Sequence, residues 1–264
     1  MNGSYPEVVL VTGAAGGVGS AVARRFAAQG SKVAVTDINA ERLTALANEI
    51  GALALPADGT KRETLHDVIA RTVETFGGLD ALIATQGASL PGPINPKGDD
   101  AWARSLDVNL NGAYFVVSEA LPHLIERKGS VVMISSSAGQ FAGPPGLAGY
   151  TATKHAIIGL VRWLARDLGP RGVRANAICP GWIRTQLAED GMAFIAERDG
   201  ITPAEAYRQA TAHIPMRRAA EPEEVAAVCA FLASKDASMV TGHVMTVDGG
   251  GSTVDPANTI FDRP

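Results

Sequence analysis

Seven short runs of apolar, mostly β-branched residues recur along the 264-residue chain, at 8–11, 32–36, 53–57, 79–84, 130–135, 174–179 and 244–247. Longer amphipathic segments separate them. Alternation of this kind builds a parallel sheet, because each crossover must return over a sheet face to begin the next strand in the same direction. The first six runs are almost continuously hydrophobic, the pattern of strands covered by helices on both faces. The expected fold is therefore α/β: a single-domain, doubly wound parallel sheet of about seven strands with helices on both faces. No stretch reads as an interdomain linker and no repeat recurs at a period of about 20–50 residues. Residues 1–264 are expected to form one domain.

Local signals agree with that order. Thr60-Lys61-Arg62-Glu63 fits a capping box at a helix start. Gly30 and Gly77-Gly78 suit helix ends, and Pro222 suits a first helical turn. Two regions break the rhythm: residues 85–98 are rich in Gly and Pro, and residues 180–202 carry a loosely amphipathic insertion. Both follow strands, so they are either ordinary surface loops or the ligand-holding loops beyond the carboxyl edge of an open α/β sheet.

Composition narrows the function. Hydrophobic residues make up 46% and charged residues 19%, which supports one large core and excludes a disordered chain. With 23 Lys+Arg against 27 Asp+Glu the net charge is −4, so neither nucleic acid nor an anionic membrane is an expected partner. Cys179 and Cys229 form no disulfide framework and no metal-ligand spacing, and no metal is expected. The opening MNGSYPE lacks the basic flank and apolar run of a signal peptide, and no apolar stretch reaches about 18 residues. The expectation is a soluble, cytoplasmic protein in a reducing compartment.

The first apolar run leads into Thr12-Gly13-Ala14-Ala15-Gly16-Gly17-Val18-Gly19 and then a helical segment. Glycines at a strand-to-helix turn let the backbone approach a pyrophosphate, and the helix N-terminus supplies free amides and a favourable dipole. Asp37 closes the second run, where its carboxylate can accept from the adenosine ribose hydroxyls. It would oppose the extra phosphate of NADP by about 1–4 kcal/mol at a separation of about 4 Å. Neither Ala15 nor Ile38 is a base that could bind that phosphate. NAD is the expected cofactor.

Tyr150 and Lys154 stand four apart at the start of a helical segment, residues 150–168. That spacing puts both on one face, where an ammonium would favour the phenolate and lower the Tyr pKa toward a value useful for acid/base work. Ile134-Ser135-Ser136-Ser137-Ala138-Gly139 places hydroxyls at the end of the fifth strand, and Asn109 is a polar residue in an otherwise apolar helical stretch.

These motifs, with Asn176-x-x-x-Pro180-Gly181-x-x-x-Thr185 and Val247-Asp248-Gly249-Gly250, make the chain resemble the short-chain dehydrogenase/reductase family in its compact form, from about residue 8 to about 250. The resemblance implies a Rossmann-like fold with a substrate-lid insertion at about 182–215. It implies Tyr150 as acid/base, Lys154 lowering its pKa and bonding the nicotinamide ribose, Ser136 polarising the substrate oxygen, and Asn109 holding a relay water. The spacing to Tyr150 fits Ser137 and the motif alignment fits Ser136, which is favoured. The cofactor residues carried over are Gly13, Gly16, Gly17, Val18, Gly19, Asp37, Ile38, Asp58, Gly59, Gly87, Tyr150, Lys154, Pro180, Gly181, Ile183 and Thr185. Asp58 would meet the adenine, and Ile183 and Thr185 the carboxamide.

The family's usual Asn-Asn-Ala-Gly after the fourth strand is here Ala84-Thr85-Gln86-Gly87, which leaves the second Asn's contacts to the Thr85 hydroxyl. Trp182, Met192, Phe194 and Ile195 in the insertion, with Leu90 and Phe141, either line an apolar pocket or pack the lid. Arg184 and Gln140 are weaker candidates for substrate contacts. The reading is an NAD-dependent oxidoreductase that interconverts a secondary alcohol and its ketone by direct hydride transfer. The alternatives are an NADP-dependent 3-oxoacyl-thioester reductase and a non-catalytic NAD-binding sensor or scaffold. A homotetramer is expected from the resemblance and from an apolar face at Ile157, Leu160, Val161 and Leu164.

Overall fold

The computed structural model describes residues 4–92, 94 and 100–261. Pro93 and residues 95–98 of the Gly/Pro-rich loop, and residues 262–264 of the C-terminal tail, lie outside the described residues. The strands are β1 Val8–Thr12, β2 Lys32–Thr36, β3 Leu53–Ala54, β4 Ala81–Ala84, β5 Ser130–Ile134, β6 Arg174–Pro180 and β7 Val244–Val247. They form one sheet in the order β3-β2-β1-β4-β5-β6-β7, with every neighbouring pair parallel. The helices are α1 Gly17–Ala28, α2 Ala40–Ile50, α3 Arg62–Phe76, α4 Asp100–Ser105, α5 Gly112–Arg127, α6 Ala148–Leu168, α7 Gln186–Asp199, α8 Pro203–Ala210 and α9 Pro222–Ala233.

Successive strand residues point to opposite faces, so each run feeds two cores. Val8 and Leu10 of β1 join Leu65, Val116 and Val161 from α3, α5 and α6 on one face. Val9 and Val11 join Phe26, Leu43 and Val225 from α1, α2 and α9 on the other. Each fully buried Leu, Val, Ile or Phe contributes about 1.5–3 kcal/mol. This double covering is why the runs carry no polar alternation.

Several local expectations are corrected. β3 pairs over two residues only, although Leu55 N–H to Val35 O (2.9 Å) and Ala57 N–H to Asp37 O (3.0 Å) extend the approach. The Thr60 capping box does not form: Lys61 occupies the cap position without a side-chain bond, and Thr60 instead donates to Asp58. Gly77, with φ of +82°, does end α3, and Pro222 does open α9. Ile157, Val161 and Leu164 are buried in this chain's own core, so the apolar face assigned to a partner is already used. What α6 leaves exposed is Trp163.

The sheet order reverses at β1, whose two neighbours are β2 and β4. At such a switch point the crossovers leave in opposite directions and open a crevice beyond the carboxyl ends of the strands. Thr12, Thr36 and Ala84 end the three strands there.

Candidate active site

The glycine turn after β1 is required by close packing. Gly13 has φ of +64°, and a Cβ on it would lie 2.7 Å from the Gln86 backbone. A Cβ at Gly19 would meet the Gly13 carbonyl oxygen at 2.3 Å, and one at Gly17 would meet Thr185 Cγ2 at 2.7 Å. Gly16 caps α1 with no side chain over the first-turn amides, which leaves them open to an anion. Val18 is half-buried beside them. A dinucleotide diphosphate fits this cradle, and the contact between Gly17 and Thr185 places the loop after β6 on its other side.

Asp37 follows β2. Its Oδ2 accepts from Ala15 N–H at 3.1 Å, and its Oδ1 accepts from Asn39 N–H at 2.9 Å, so the carboxylate is held against the glycine turn. Ile38 beside it is 74% exposed. Asp58 accepts from the Thr60 hydroxyl (2.7 Å) and Thr60 N–H (2.9 Å), bonds that hold its carboxyl below the ordinary range. Gly59 packs its carbonyl oxygen against Gly112, where a Cβ would come within 2.3 Å.

The catalytic candidates converge between β5 and α6. The Ser136 hydroxyl accepts from Ala138 N–H at 3.1 Å and lies near enough to the Tyr150 phenol to lower its pKa against the effect of burial. Ser137 instead begins the 3₁₀ turn Ser137–Gly139, so Ser136 is the serine at the phenol. The Ser135 hydroxyl donates to Lys154 O at 2.7 Å and ties α6 to the strand. Lys154 is buried, its Nζ donates to Ile134 O at 2.9 Å, and it lies 5.6 Å from the Tyr150 ring centroid. A Cβ on Gly87 would be 3.0 Å from Lys154 Nζ and 3.2 Å from Asn109 Oδ1, so Gly87 is where the ammonium and the amide approach each other.

Asn109 is set by a π-helical turn, Leu106–Asn111, between α4 and α5. Such an insertion re-aims a side chain within a continuous helix. Its Oδ1 accepts from Ala88 N–H at 2.8 Å and its Nδ2 donates to Ala88 O at 3.0 Å, so the amide clamps the loop after β4.

The expected depression of the Tyr150 pKa does not appear. Burial pushes the phenol above its ordinary value, opposed by the Ser136 hydrogen bond. Burial also lowers Lys154 to about 8, opposed by the neighbouring Cys179. Burial is the largest cause for both groups, since each would carry a charge away from water.

Beyond β6, a Cβ on Gly181 would lie 2.9 Å from Asp248 Cβ, which sets the bend after Pro180. Ile183 and Ala220 form a β-bridge, closed by Arg184 N–H to Ala220 O and Ala220 N–H to Trp182 O, each 2.9 Å. The insertion folds as α7 and α8 around Met192, Ala188 and Tyr207, with Trp182 and Ile195 packed against them. These apolar residues pack α7 and α8 together. Phe194 is 67% exposed, as is Phe141 at 52%. Arg184 stacks over the Tyr207 ring (5.1 Å) and pairs with Glu221 (3.4 Å), while Gln140 accepts from the Thr246 hydroxyl at 3.1 Å.

Two residues that sequence reasoning missed stand in this site. Gln86 Oε1 accepts from the Thr12 hydroxyl, and Ser135 ties α6 to β5. The serine triplet was visible, but only the position of α6 shows which hydroxyl serves which helix. The Thr85 hydroxyl donates to Thr12 O at 2.6 Å, a main-chain brace in place of an asparagine amide. Among the described residues no cluster of three or more His, Cys, Asp or Glu could hold a metal.

Comparison with known proteins decides the family. The profile of the family described as enoyl-(acyl carrier protein) reductase matches residues 13–252. The protein MoaE of Klebsiella aerogenes is 40% identical over 97% of this chain and 99% of its own length. The meso-2,3-butanediol dehydrogenase of Serratia marcescens is 36% identical over 94% and 96%. The chain belongs to the short-chain dehydrogenase/reductase family. A crystal structure of an actinorhodin polyketide ketoreductase variant with NADPH superimposes with a TM-score of 0.88, at 30% identity over 94% of this chain and 98% of that one. As a short-chain dehydrogenase/reductase the protein is an oxidoreductase of alcohol/ketone-type substrates, from a family that binds a nicotinamide cofactor. Among the described residues no helix is long and apolar enough to cross a membrane.

Proposed function

We propose that the protein is an NAD-dependent oxidoreductase that interconverts a secondary alcohol and its ketone. The observation that carries the reaction type is the convergence of Ser136, Tyr150 and the buried Lys154 between β5 and α6, with Lys154 Nζ 5.6 Å from the Tyr150 ring centroid. In the oxidative direction the Tyr150 oxygen takes the hydroxyl proton as the carbinol C–H bond breaks and the carbonyl forms. Ser136 holds the substrate oxygen beside the phenol, so that the proton moves within one hydrogen bond. The Lys154 ammonium stabilises the phenolate, and Asn109 orders the loop that covers Lys154. When bound, the nicotinamide supplies the hydride acceptor or donor.

Gly13, Gly16, Gly17, Val18 and Gly19 would hold the diphosphate, Asp37 and Ile38 the adenosine ribose, Asp58 and Gly59 the adenine, and Gly87, Pro180, Gly181, Ile183 and Thr185 the nicotinamide end. The preference for NAD rests on Asp37, whose carboxylate is fixed against the Ala15 amide with no basic residue at 15 or 38. A second reading, an NADP-dependent 3-oxoacyl-thioester reductase, draws support from the NADPH in the ketoreductase neighbour.

Absorbance of the reduced nicotinamide, followed with NAD and NADP in parallel over pooled secondary alcohols and hydroxyacyl thioesters, separates the two. A signal with NAD that disappears in Tyr150→Phe supports the first reading. A stronger signal with NADP on thioesters selects the second. Tight NADH binding without turnover of any pool would instead favour a sensor role.

A further inference from the structure

The loop after β4 carries a side chain that the catalytic chemistry leaves unused. Gln86 stands at the switch point, directly against the glycine turn, since a Cβ on Gly13 would strike its backbone at 2.7 Å. Its side chain turns back over the end of β1, where the Thr12 hydroxyl donates to its Oε1. One end of the amide is thus anchored, which leaves Nε2 as its donor end. An amide anchored in this way loses little further rotamer freedom when a ligand arrives.

A second polar group at the same edge lacks a partner. Thr36 pairs with Thr12 in the parallel register of β1 and β2, so the two side chains share a sheet face. The Thr36 hydroxyl is buried and makes no hydrogen bond, a state that is costly for a hydroxyl. Asp37 follows immediately. The carboxyl edge of β2, β1 and β4 therefore carries an unsatisfied Thr36 hydroxyl, the anchored Thr12–Gln86 pair and a ribose-binding carboxylate side by side.

We propose that Gln86 is a cofactor-binding residue, its Nε2 donating to an oxygen of the adenosine half of the dinucleotide, with the Thr12 hydroxyl as the group that aims it. The inference rests on the nicotinamide-dinucleotide reading of the site and adds a contact that alanine, the family's usual residue at this position, cannot make. Gln86 then offsets what the loop loses where Thr85, committed to the Thr12 carbonyl, replaces an asparagine.

The test is direct binding, independent of turnover. ADP-ribose affinity is measured by calorimetry, and NADH affinity by fluorescence, on wild type, Gln86→Ala, Gln86→Glu and Thr12→Val. Gln86→Ala is expected to bind ADP-ribose about tenfold more weakly, the loss of one hydrogen bond to a preorganised donor. Gln86→Glu keeps the shape but removes the donor and adds charge, so its loss is larger. Thr12→Val releases the anchor and falls between wild type and Gln86→Ala. Nicotinamide mononucleotide affinity and the unfolding temperature without ligand stay at the wild-type value in Gln86→Ala.

Equal ADP-ribose affinity in wild type and Gln86→Ala overturns the proposal and leaves the cofactor reading intact. Parallel loss of nicotinamide mononucleotide binding also overturns it, because it marks collapse of the turn. If wild type binds neither NADH nor ADP-ribose, the cofactor reading itself fails and the proposal with it.

Discussion

Lys154 shows how one residue sets a conflict between stability and chemistry. Its pKa falls from 10.5 to about 8 on folding. Between those values the unfolded chain binds more protons than the folded one, so stability rises with pH across the window, by up to about 1.4 kcal/mol per pH unit. Well below about 8 both states are protonated and the folded state bears the whole penalty. Lys154→Met removes this dependence. Urea unfolding of the ligand-free protein should show the difference between variant and wild type shifting in favour of wild type as pH climbs from about 8 toward 10.5, while turnover is lost. A difference that stays flat with pH would show that Lys154 titrates normally.

The serines make a second prediction at this scale. Ser136→Ala removes the hydroxyl at the phenol and should lower kcat by about 100-fold or more, in the range for loss of one oriented donor. Ser137→Ala, in the turn beyond, should stay within about fivefold. Reversal of that order would move the assignment to Ser137. Asp37 carries a third: Asp37→Ser should lower kcat/KM with NAD about tenfold and raise it with NADP, because about 1–4 kcal/mol of repulsion disappears.

At the scale of elements, two helix termini are held by residues distant in sequence, one at the site and one at the amino edge of the sheet. The N-terminus of α1 meets the loop after β6 through Gly17 and Thr185, where a Cβ would lie 2.7 Å from a methyl. Gly17→Ala should therefore displace residue 185 and weaken NADH binding by tenfold or more, with little change in unfolding temperature. Fluorescence titration and a thermal melt read the two effects separately.

The C-terminus of α9 is held differently. The Arg174 guanidinium, partly buried in β6, donates to Leu232 O (2.6 Å), Ser234 O (2.9 Å) and Ala233 O (3.2 Å). Arg174→Met removes the guanidinium from the Leu232 and Ser234 carbonyls and leaves Ala233 O only the Ser130 hydroxyl at 3.3 Å, and should cost about 2–4 kcal/mol in urea unfolding. A loss under about 0.5 kcal/mol would mean that the helix end finds other partners.

For the whole molecule, we propose that the edge of the sheet is an assembly surface. β7 is an edge strand with half-buried Val244, Met245 and Val247, and Trp163 on α6 is 57% exposed. An apolar edge of this kind is commonly covered by a neighbour. A homotetramer is expected, and sedimentation at micromolar concentration should give four times the 27.3 kDa chain mass. A monomer there would overturn it.

Much of this protein was legible from its residues because the informative signals are local. The βα order follows from apolar runs set by strand burial, and the glycine turn from conformations and close approaches within a few residues. The pairing of Tyr150 with Lys154 follows from helix geometry alone. The Thr60 capping box failed because Asp58, two residues earlier, competes for the same hydroxyl. Arg184 was ambiguous because its partners, Tyr207 and Glu221, lie far along the chain.

The sequence by itself determined the doubly wound architecture, the place of the glycine turn and the candidate side chains of the site, since periodicity, turn chemistry and residue spacing act over short stretches. Only the tertiary structure decided that Ser136 lies near the Tyr150 phenol, that burial sets the direction of both the Tyr150 and the Lys154 pKa shift, and that Gln86 is anchored by Thr12. Desolvation and side-chain direction are properties of segments brought together from distant parts of the chain, and no local pattern encodes them.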